Sequence, residues 1–282
     1  MIHLRLDRLN AATGIPGLNR QVALETKIAM PPLPEQKKIA KILSTVDEAI
    51  EKSDEIIKKT KELKKGLMQE LLTCGIGYKK FKKTKIGEIP MDWEVKKLKE
   101  IIKLINGRAF KPTEWSERGL PIVRIQNLND PAKPFNCCNF DVPSRYIINS
   151  GALLLAWSGT PSTSFGIHKW KGDRAVLNQH IFKVVSTSHN LSTEYLVYTL
   201  NHKLDYLIRK AHGGVGLKHV TKDVVEQMLI SVPSLPEQKK IAGILSTVDE
   251  DIEREVDNKK KLEIIKKGLM QVLLTGKVRI RI

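Results

Sequence analysis

The chain has 282 residues and a formal net charge of +17, with 28% charged and 41% hydrophobic residues, a composition suited to one or two soluble globular domains. No apolar run reaches the eighteen or so residues of a membrane span, and the opening MIHLRLDRLN lacks a signal-peptide core. Three cysteines, two of them adjacent at Cys137 and Cys138, form neither a disulfide framework nor a CxxC metal pattern, so the expected setting is a reducing cytoplasm.

Residues 1–30 read as a fragment. ATGIPGLNRQVALETKIAMPPLPEQ parallels GGVGLKHVTKDVVEQMLISVPSLPEQ much later in the chain, with a three-residue gap. Gly17-Leu18 matches Gly216-Leu217, and Pro31 matches Pro233. The piece therefore resembles only the end of the domain that lies further on, and it is too short to build its own core.

Residues 31–75 and 233–282 hold two copies of one element. At a constant offset of 202, Pro34–Thr73 and Pro236–Thr275 share 27 of 40 residues, which marks a duplicated module. Apolar residues at Ile39, Leu43, Val46, Ile50 and Ile57, and at Ile241, Leu245, Val248 and Ile252, step by fours and threes like a coiled-coil seam. The pattern breaks past Thr60 and is expected to resume at Leu63, Leu67 and Leu71, answered in copy two by Leu262, Ile265, Leu269 and Val272. Pro34 and Pro236 suit a first helical turn, and Gly75 and Gly276 suit a stop. Each helix would be about 60 Å long at 1.5 Å per residue. A single greasy seam needs a partner, and because the chain returns between the copies, the two should pair antiparallel.

Residues 76–232 should form the globular domain. The stretch 74–88 reads as a Gly/Lys-rich linker, Leu98–Ile105 as a short helix, and PIVRIQNL (121–128), GALLLAWSG (151–159) and HIFKVV (180–185) as strands. Leu191–His202 reads as a helix capped by Ser192, followed by more helix over Lys203–Lys210. Mixed strands with late helices give an α/β or α+β globule. This segment carries 24 basic against 13 acidic residues, whereas residues 31–75 and 233–276 are almost neutral. A basic domain on neutral helices suits a polyanion partner.

Catalytic signatures are missing from the sequence. There is no methyltransferase [D/N/S]PP[Y/F/W] motif (NDPAKPF at 129–135 is the nearest string) and no GxxxxGK[ST] loop. Glu94-Val95-Lys96 has a nuclease-like ExK spacing, which recurs by chance in a chain this rich in Glu and Lys. His168, His180, His212 and His219 have no Cys or carboxylate at ligand spacing, so no metal site is expected.

Taken together, GEIPMDWEVKKL, GLPIVRIQNL, LLLAWSGT, NQHIFKV, GLKHVTKDVV and the twice-used PLPEQKKIA…KKGLMQ resemble the specificity subunit of type I restriction–modification systems. The resemblance implies target-recognition domains that each read half of a bipartite double-stranded DNA target, separated by an antiparallel pair of long helices. It also implies methyltransferase (M) subunits docked on the helices, and a restriction (R) subunit recruited through the complex. S-adenosylmethionine and ATP/Mg chemistry would then belong to those partners, with no cofactor on this chain. Only one recognition domain is complete here, so a homodimer could restore two. A dimeric coiled-coil regulator or architectural DNA-binding protein is the alternative.

Within the domain, Arg124, Gln126 and Asn127 are candidates for base reading, since Arg suits guanine and Asn or Gln suits adenine. Asn178 and Gln179 form a second amide-rich corner, Ser158 and Thr160 a small polar turn that could meet phosphate, and Lys218 with His219 a third group after a flexible GGVG. Arg108, Lys111, Lys169 and Lys171 are candidates for phosphate contacts, which position without specifying.

Overall fold

The computed structural model describes residues 20–25, 30–130, 132–159, 165–212 and 218–281. Most of Met1–Met30, and the sequence around Thr160 and Gly213–Gly216, lie outside the described residues. A short helix α1 (Arg20–Glu25) stands 202 positions before α6 (Lys222–Glu226), in keeping with the parallel between the N-terminal piece and the domain's end. The chain forms two compact units, residues 1–63 with 248–282, and residues 64–247.

The two copies of the repeat are long helices, α2 (Leu33–Thr73) and α7 (Leu235–Leu273), which begin at the same repeat position. In the first unit they run antiparallel. Lys266 pairs with Asp47, and Lys259 pairs with Asp54 at 2.7 Å, so moving up one helix by seven moves down the other by seven. The covered stripe on α2 runs through Ile39, Leu43, Val46, Ile50, Ser53, Ile57, Thr60, Lys64, Leu67 and Leu71 without interruption. The expected break is therefore absent: Ser53 (3% exposed) and Thr60 hold seam positions, while Leu63 points outward at 57%. On α7 the stripe uses Leu262, Lys266 and Leu269, and Ile265 is exposed. Reading hydrophobicity alone shifted the register there, because the seam keeps its sevenfold spacing through polar residues.

Glycine ends both helices as expected, with φ +69° at Gly75 and +70° at Gly276. The first-turn glutamates are buried. Glu35 accepts hydrogen bonds from Arg279 (2.7–3.1 Å) and from the Ile280 amide (3.1 Å). The Arg279 guanidinium holds its carboxyl below the usual range.

In the second unit, the stretch expected to be a linker folds as a hairpin of β1 (Phe81–Thr84) and β2 (Gly87–Pro90). Strand β3 (Glu94–Lys97) follows, and Glu94 is ion-paired to Lys96 at 2.7 Å. Leu98–Ile105 is mostly not helical: a single 3-10 turn at Leu98–Glu100 leads into β4 (Ile102–Asn106). Its Ile102 and Leu104 lie opposite Ser186 and Val184. Pairing across strands outweighs local helix propensity in this Ile- and Leu-rich stretch. PIVRIQNL divides into β5 (Leu120–Val123) and helix α3 (Ile125–Asn129).

Further on come β6 (Asn136–Cys138), β7 (Ile147–Ile148), β8 (Leu153–Ala156), β9 (Ser158–Gly159), β10 (Gly166–Lys169), β11 (Ala175–Leu177) and β12 (Ile181–Ser186). They are followed by α4 (Thr193–His202), α5 (Leu204–Lys210), β13 (Lys218–His219), α6 and β14 (Leu229–Val232). Ser192 caps α4 as expected, accepting the Tyr195 amide at 3.4 Å.

One four-stranded sheet has the order β10-β8-β12-β4 and is antiparallel; the other, β6-β5-β11-β7, is mixed, with β5 and β11 parallel. Strand β8 shows why GALLLAWSG is almost continuously apolar. Leu153 and Leu155 join the core that holds the helices, whereas Leu154 packs with Val123, Ile148, Leu177 and Ile181 on the other side. A strand covered on both faces shows no alternation.

Trp93 is fully buried in the larger core beside Leu71, Leu72, Ile241 and Leu245. Its indole N–H donates to Glu237 Oε2 at 3.1 Å, beside the Tyr78 hydroxyl at 2.8 Å, and the Ile76 amide donates to Oε1. Gln238 bonds Pro233 O, Asn190 O and the Ser192 amide, tying the start of α4 to the helix start.

Candidate nucleic-acid interface

The chain passes from the mixed sheet to the antiparallel one between β11 and β12, so Asn178, Gln179 and His180 form the corner. The end of β4 runs against this corner. The Gly107 amide donates to Ile181 O and the Arg108 amide to Leu177 O, at 3.0 and 2.9 Å. A Cβ on Gly107 would lie 2.0 Å from the Asn178 carbonyl oxygen, so only glycine permits this approach. Trp157 completes the junction: its amide donates to His180 O, and its carbonyl accepts from the Val220 amide after β13.

The Trp157 ring stacks on Phe182 (5.7 Å, 28°), and its Nε1 donates to Asn106 at 3.2 Å. The rings of His180 and His219 lie 5.2 and 6.2 Å away. Burial, helped by His219, pushes the His180 imidazole below its usual range, which favours the neutral ring. Among the described residues, Gln179 Oε1 and His180 Nδ1 are buried without a protein hydrogen-bond partner. Strands β9 and β13 pair Gly159 with Lys218 and Ser158 with His219 beside this patch. An aromatic and amide surface in a basic domain can stack on bases and read their edges. Trp157 was missed by the sequence reading, because a tryptophan inside LLLAWSG reads as core.

The other candidates fall into different surroundings. Asn127 is 2% exposed, and its amide is fully engaged: Oδ1 accepts the Arg124 amide at 3.1 Å, and Nδ2 donates to Lys133 O and Pro134 O. It organises the loop after β5. Arg124 bonds Asn136 at 3.0 Å and lies 5.0 Å from the Trp115 ring, and Gln126 is exposed. Arg108 is ion-paired to Glu114 and sits over Phe110 and Phe140 at 4.7 and 5.0 Å. Lys111 is exposed, and its amide donates to Glu114. Ser158 is buried in the β9–β13 pairing, so it forms no open polar turn. Lys169 lies 3.6 Å from Glu194 on the exposed end of β10, and Lys171 is also exposed. Thr160 and the Lys218 side chain lie outside the described residues. Among those described, no group of His, Cys, Asp and Glu could hold a metal ion, and no helix is long and apolar enough to cross a membrane.

The basic mixed-sheet domain, bracketed in sequence by two copies of one long helix, thus carries an aromatic and amide patch at the corner between its sheets. The chain belongs to the type I restriction modification DNA specificity domain family, whose profile matches residues 2–62 and 90–263. It is 34% identical over 280 residues to the type I restriction enzyme MjaVIII specificity subunit of Methanocaldococcus jannaschii. It is 31% identical over 271 residues to that organism's putative MjaX specificity subunit. These matches take in 95% and 94% of this chain but 66% and 62% of the relatives, so the chain spans just under two thirds of their length. The fold resembles the HsdS subunit from Thermoanaerobacter tengcongensis (TM-score 0.58, 17% identity, 98% of this chain and 67% of that one). A chain from a study of complex assembly and conformational transition in the type I R-M system is similar, with TM-score 0.65, 17% identity, and 98% and 69% covered.

Proposed function

We propose that this chain is a non-catalytic DNA-specificity subunit of a cytoplasmic type I restriction–modification complex. Its recognition domain reads half of a bipartite target in double-stranded DNA. Its paired helices dock methyltransferase subunits, which bring S-adenosylmethionine, and a restriction subunit with ATP/Mg joins through the complex. The family membership supports this reading. The observation that carries the site is the cluster of Trp157, His180 and His219 beside Asn178 and Gln179 at the corner between the two sheets. Gln179 is the base reader and Trp157 the stacking platform, while Lys169 and Lys171 contact phosphate. A second chain, in a homodimer, supplies the other half-site reader.

The test is co-expression with a modification subunit, followed by mapping of methylated adenines across the host genome. A bipartite motif is expected, symmetric for a homodimer; subunits that co-purify without new methylation would refute the specificity role. Binding measurements separate the residue roles. Lys169→Ala with Lys171→Ala should weaken binding to all sequences and lower the salt slope by about 1.8. Gln179→Ala should instead relax discrimination at one base pair, by about 1–3 kcal/mol. An unchanged salt slope with altered sequence preference in the lysine pair would contradict the assignment.

A further inference from the structure

Helix α5 (Leu204–Lys210) has two faces of different character. Leu207 is buried in the larger core, with Leu204, Ile208 and Ala211 packed against it. Leu204 also lies over Gly166 at the start of β10, where an added Cβ would come within 3.3 Å of it. On the outside, Lys203, Tyr206, Arg209 and Lys210 follow one another at steps of three and four, so their side chains share one side of the helix. Arg209 and Lys210 are exposed, Tyr206 is 37% exposed and Lys203 is half-buried.

These cations stand without carboxylate partners. The acidic residues of α4, α5 and α6 are Glu194, Asp205, Asp223 and Glu226. Glu194 takes Lys169 at 3.6 Å, Glu226 takes Lys222 at 3.4 Å, and Asp223 accepts from Gln227 at 3.5 Å. Asp205 is exposed, and its charge acts on His202. Among the described residues, Lys203, Arg209 and Lys210 are left without an ion pair. Burial lowers the Lys203 ammonium from its ordinary 10.5, an effect that an anion at this face would reverse.

The end of α5 leads into the corner between the sheets. Two residues past Lys210, His212 exchanges both backbone hydrogen bonds with His219, at 2.9 and 2.8 Å, and the His219 ring lies 6.2 Å from that of Trp157. From Lys203 to Lys210 the chain advances about 10 Å at 1.5 Å per residue, close to the axial rise of about three phosphates on one DNA strand.

We propose that the outer face of α5 is a clamp for the phosphodiester backbone of double-stranded DNA. Lys203, Arg209 and Lys210 contact phosphates of the strand whose bases meet the corner, and the Tyr206 hydroxyl donates to one of them. Charge complementarity and continuity with the aromatic and amide patch select this occupant over an acidic protein surface. Such contacts hold the duplex in register without reading it. The inference rests on the proposed specificity role and adds to it a set of phosphate contacts separate from Lys169 and Lys171.

The test uses the chain co-purified with a modification subunit and two fluorescein-labelled duplexes. One duplex carries the methylation motif mapped for the complex and the other a shuffled sequence, with binding followed by anisotropy across a salt series. Lys203→Gln, Arg209→Gln and Lys210→Gln combined should lower the salt slope by about 2.7, at about 0.9 per contact, and weaken both duplexes by the same factor. Arg209→Gln with Lys210→Gln, both at exposed positions, should lower it by about 1.8 and leave the thermal melt unchanged. The charge-keeping pair Arg209→Lys with Lys210→Arg should retain the original slope, and the mapped motif should stay the same throughout. An unchanged slope in the triple variant, or a changed motif, would overturn the α5 clamp and leave the specificity role standing. Loss of the modification subunit from the complex with an intact slope would assign the face to an acidic protein surface and also overturn the clamp. If the unsubstituted complex bound both duplexes equally, the specificity role itself would fall, and the clamp with it.

Discussion

Removing the Trp93 side chain should destabilise the second unit more than any other single truncation at the junction of domain and helix. The residue is fully buried, and an aromatic of its size removes 150–250 Å² from water, worth about 4–6 kcal/mol at 25 cal/mol per Å². Aromatic-to-alanine changes in cores are measured at about 3–5 kcal/mol, so Trp93→Ala should fall in that range. Trp93→Phe keeps most of the apolar contact but removes the N–H that donates to Glu237 at 3.1 Å. Tyr78 and the Ile76 amide still serve that carboxylate, so the loss should be about 1–3 kcal/mol. Urea unfolding followed by the fluorescence of Trp115, Trp157 and Trp170, all in the same unit, would measure both. A loss below about 1 kcal/mol for Trp93→Ala, or equal losses for the two variants, would refute the assignment of Trp93 as the keystone of that core.

Gly75→Ala should cost well over 1 kcal/mol in thermal unfolding, because left-handed backbone disfavours a Cβ and that atom would meet Glu237 Oε1 and Trp93 at 2.8 Å. Gly77→Ala, with φ +75° but open space around it, should show the backbone strain alone. Asn127→Ala should lower stability by about 1–3 kcal/mol, through the backbone groups it leaves unbonded, while the base preference of bound DNA stays the same. Burial pushes the Tyr195 phenol up to about 12. Its folded value is raised above the ordinary 10.0, so the stability linked to it is complete below pH 10 and drains away as pH climbs towards 12. Denaturant melts across that window, with tyrosinate absorbance as the reporter, would check the sign.

The long helices were legible because their information is local and written twice: an apolar step of fours and threes, a proline at the start and a glycine at the stop. Their antiparallel pairing followed from a one-sided seam and a chain that must return. The basic surplus between the copies pointed to a polyanion, and the ordered motifs to the family. Strands bounded by turn residues, such as β12, and the Ser192-capped α4 could also be read locally.

Side-chain environment was decided only by tertiary structure. Leu98–Ile105 has helix-compatible residues, yet partners 76 to 84 positions away recruit Ile102–Asn106 into a sheet. Asn127 and Gln126 are neighbours in sequence, but one is sealed inside a loop and the other faces solvent, because amide hydrogen bonds depend on where distant carbonyls fall. Ser53 and Thr60 occupy the seam although they are polar, and Leu63 leaves it although it is apolar, since helix geometry fixes the covered face and composition only follows it on average. The corner that gathers Trp157, Asn178–His180 and His219 exists because two sheets meet there, and no spacing along the chain encodes that meeting.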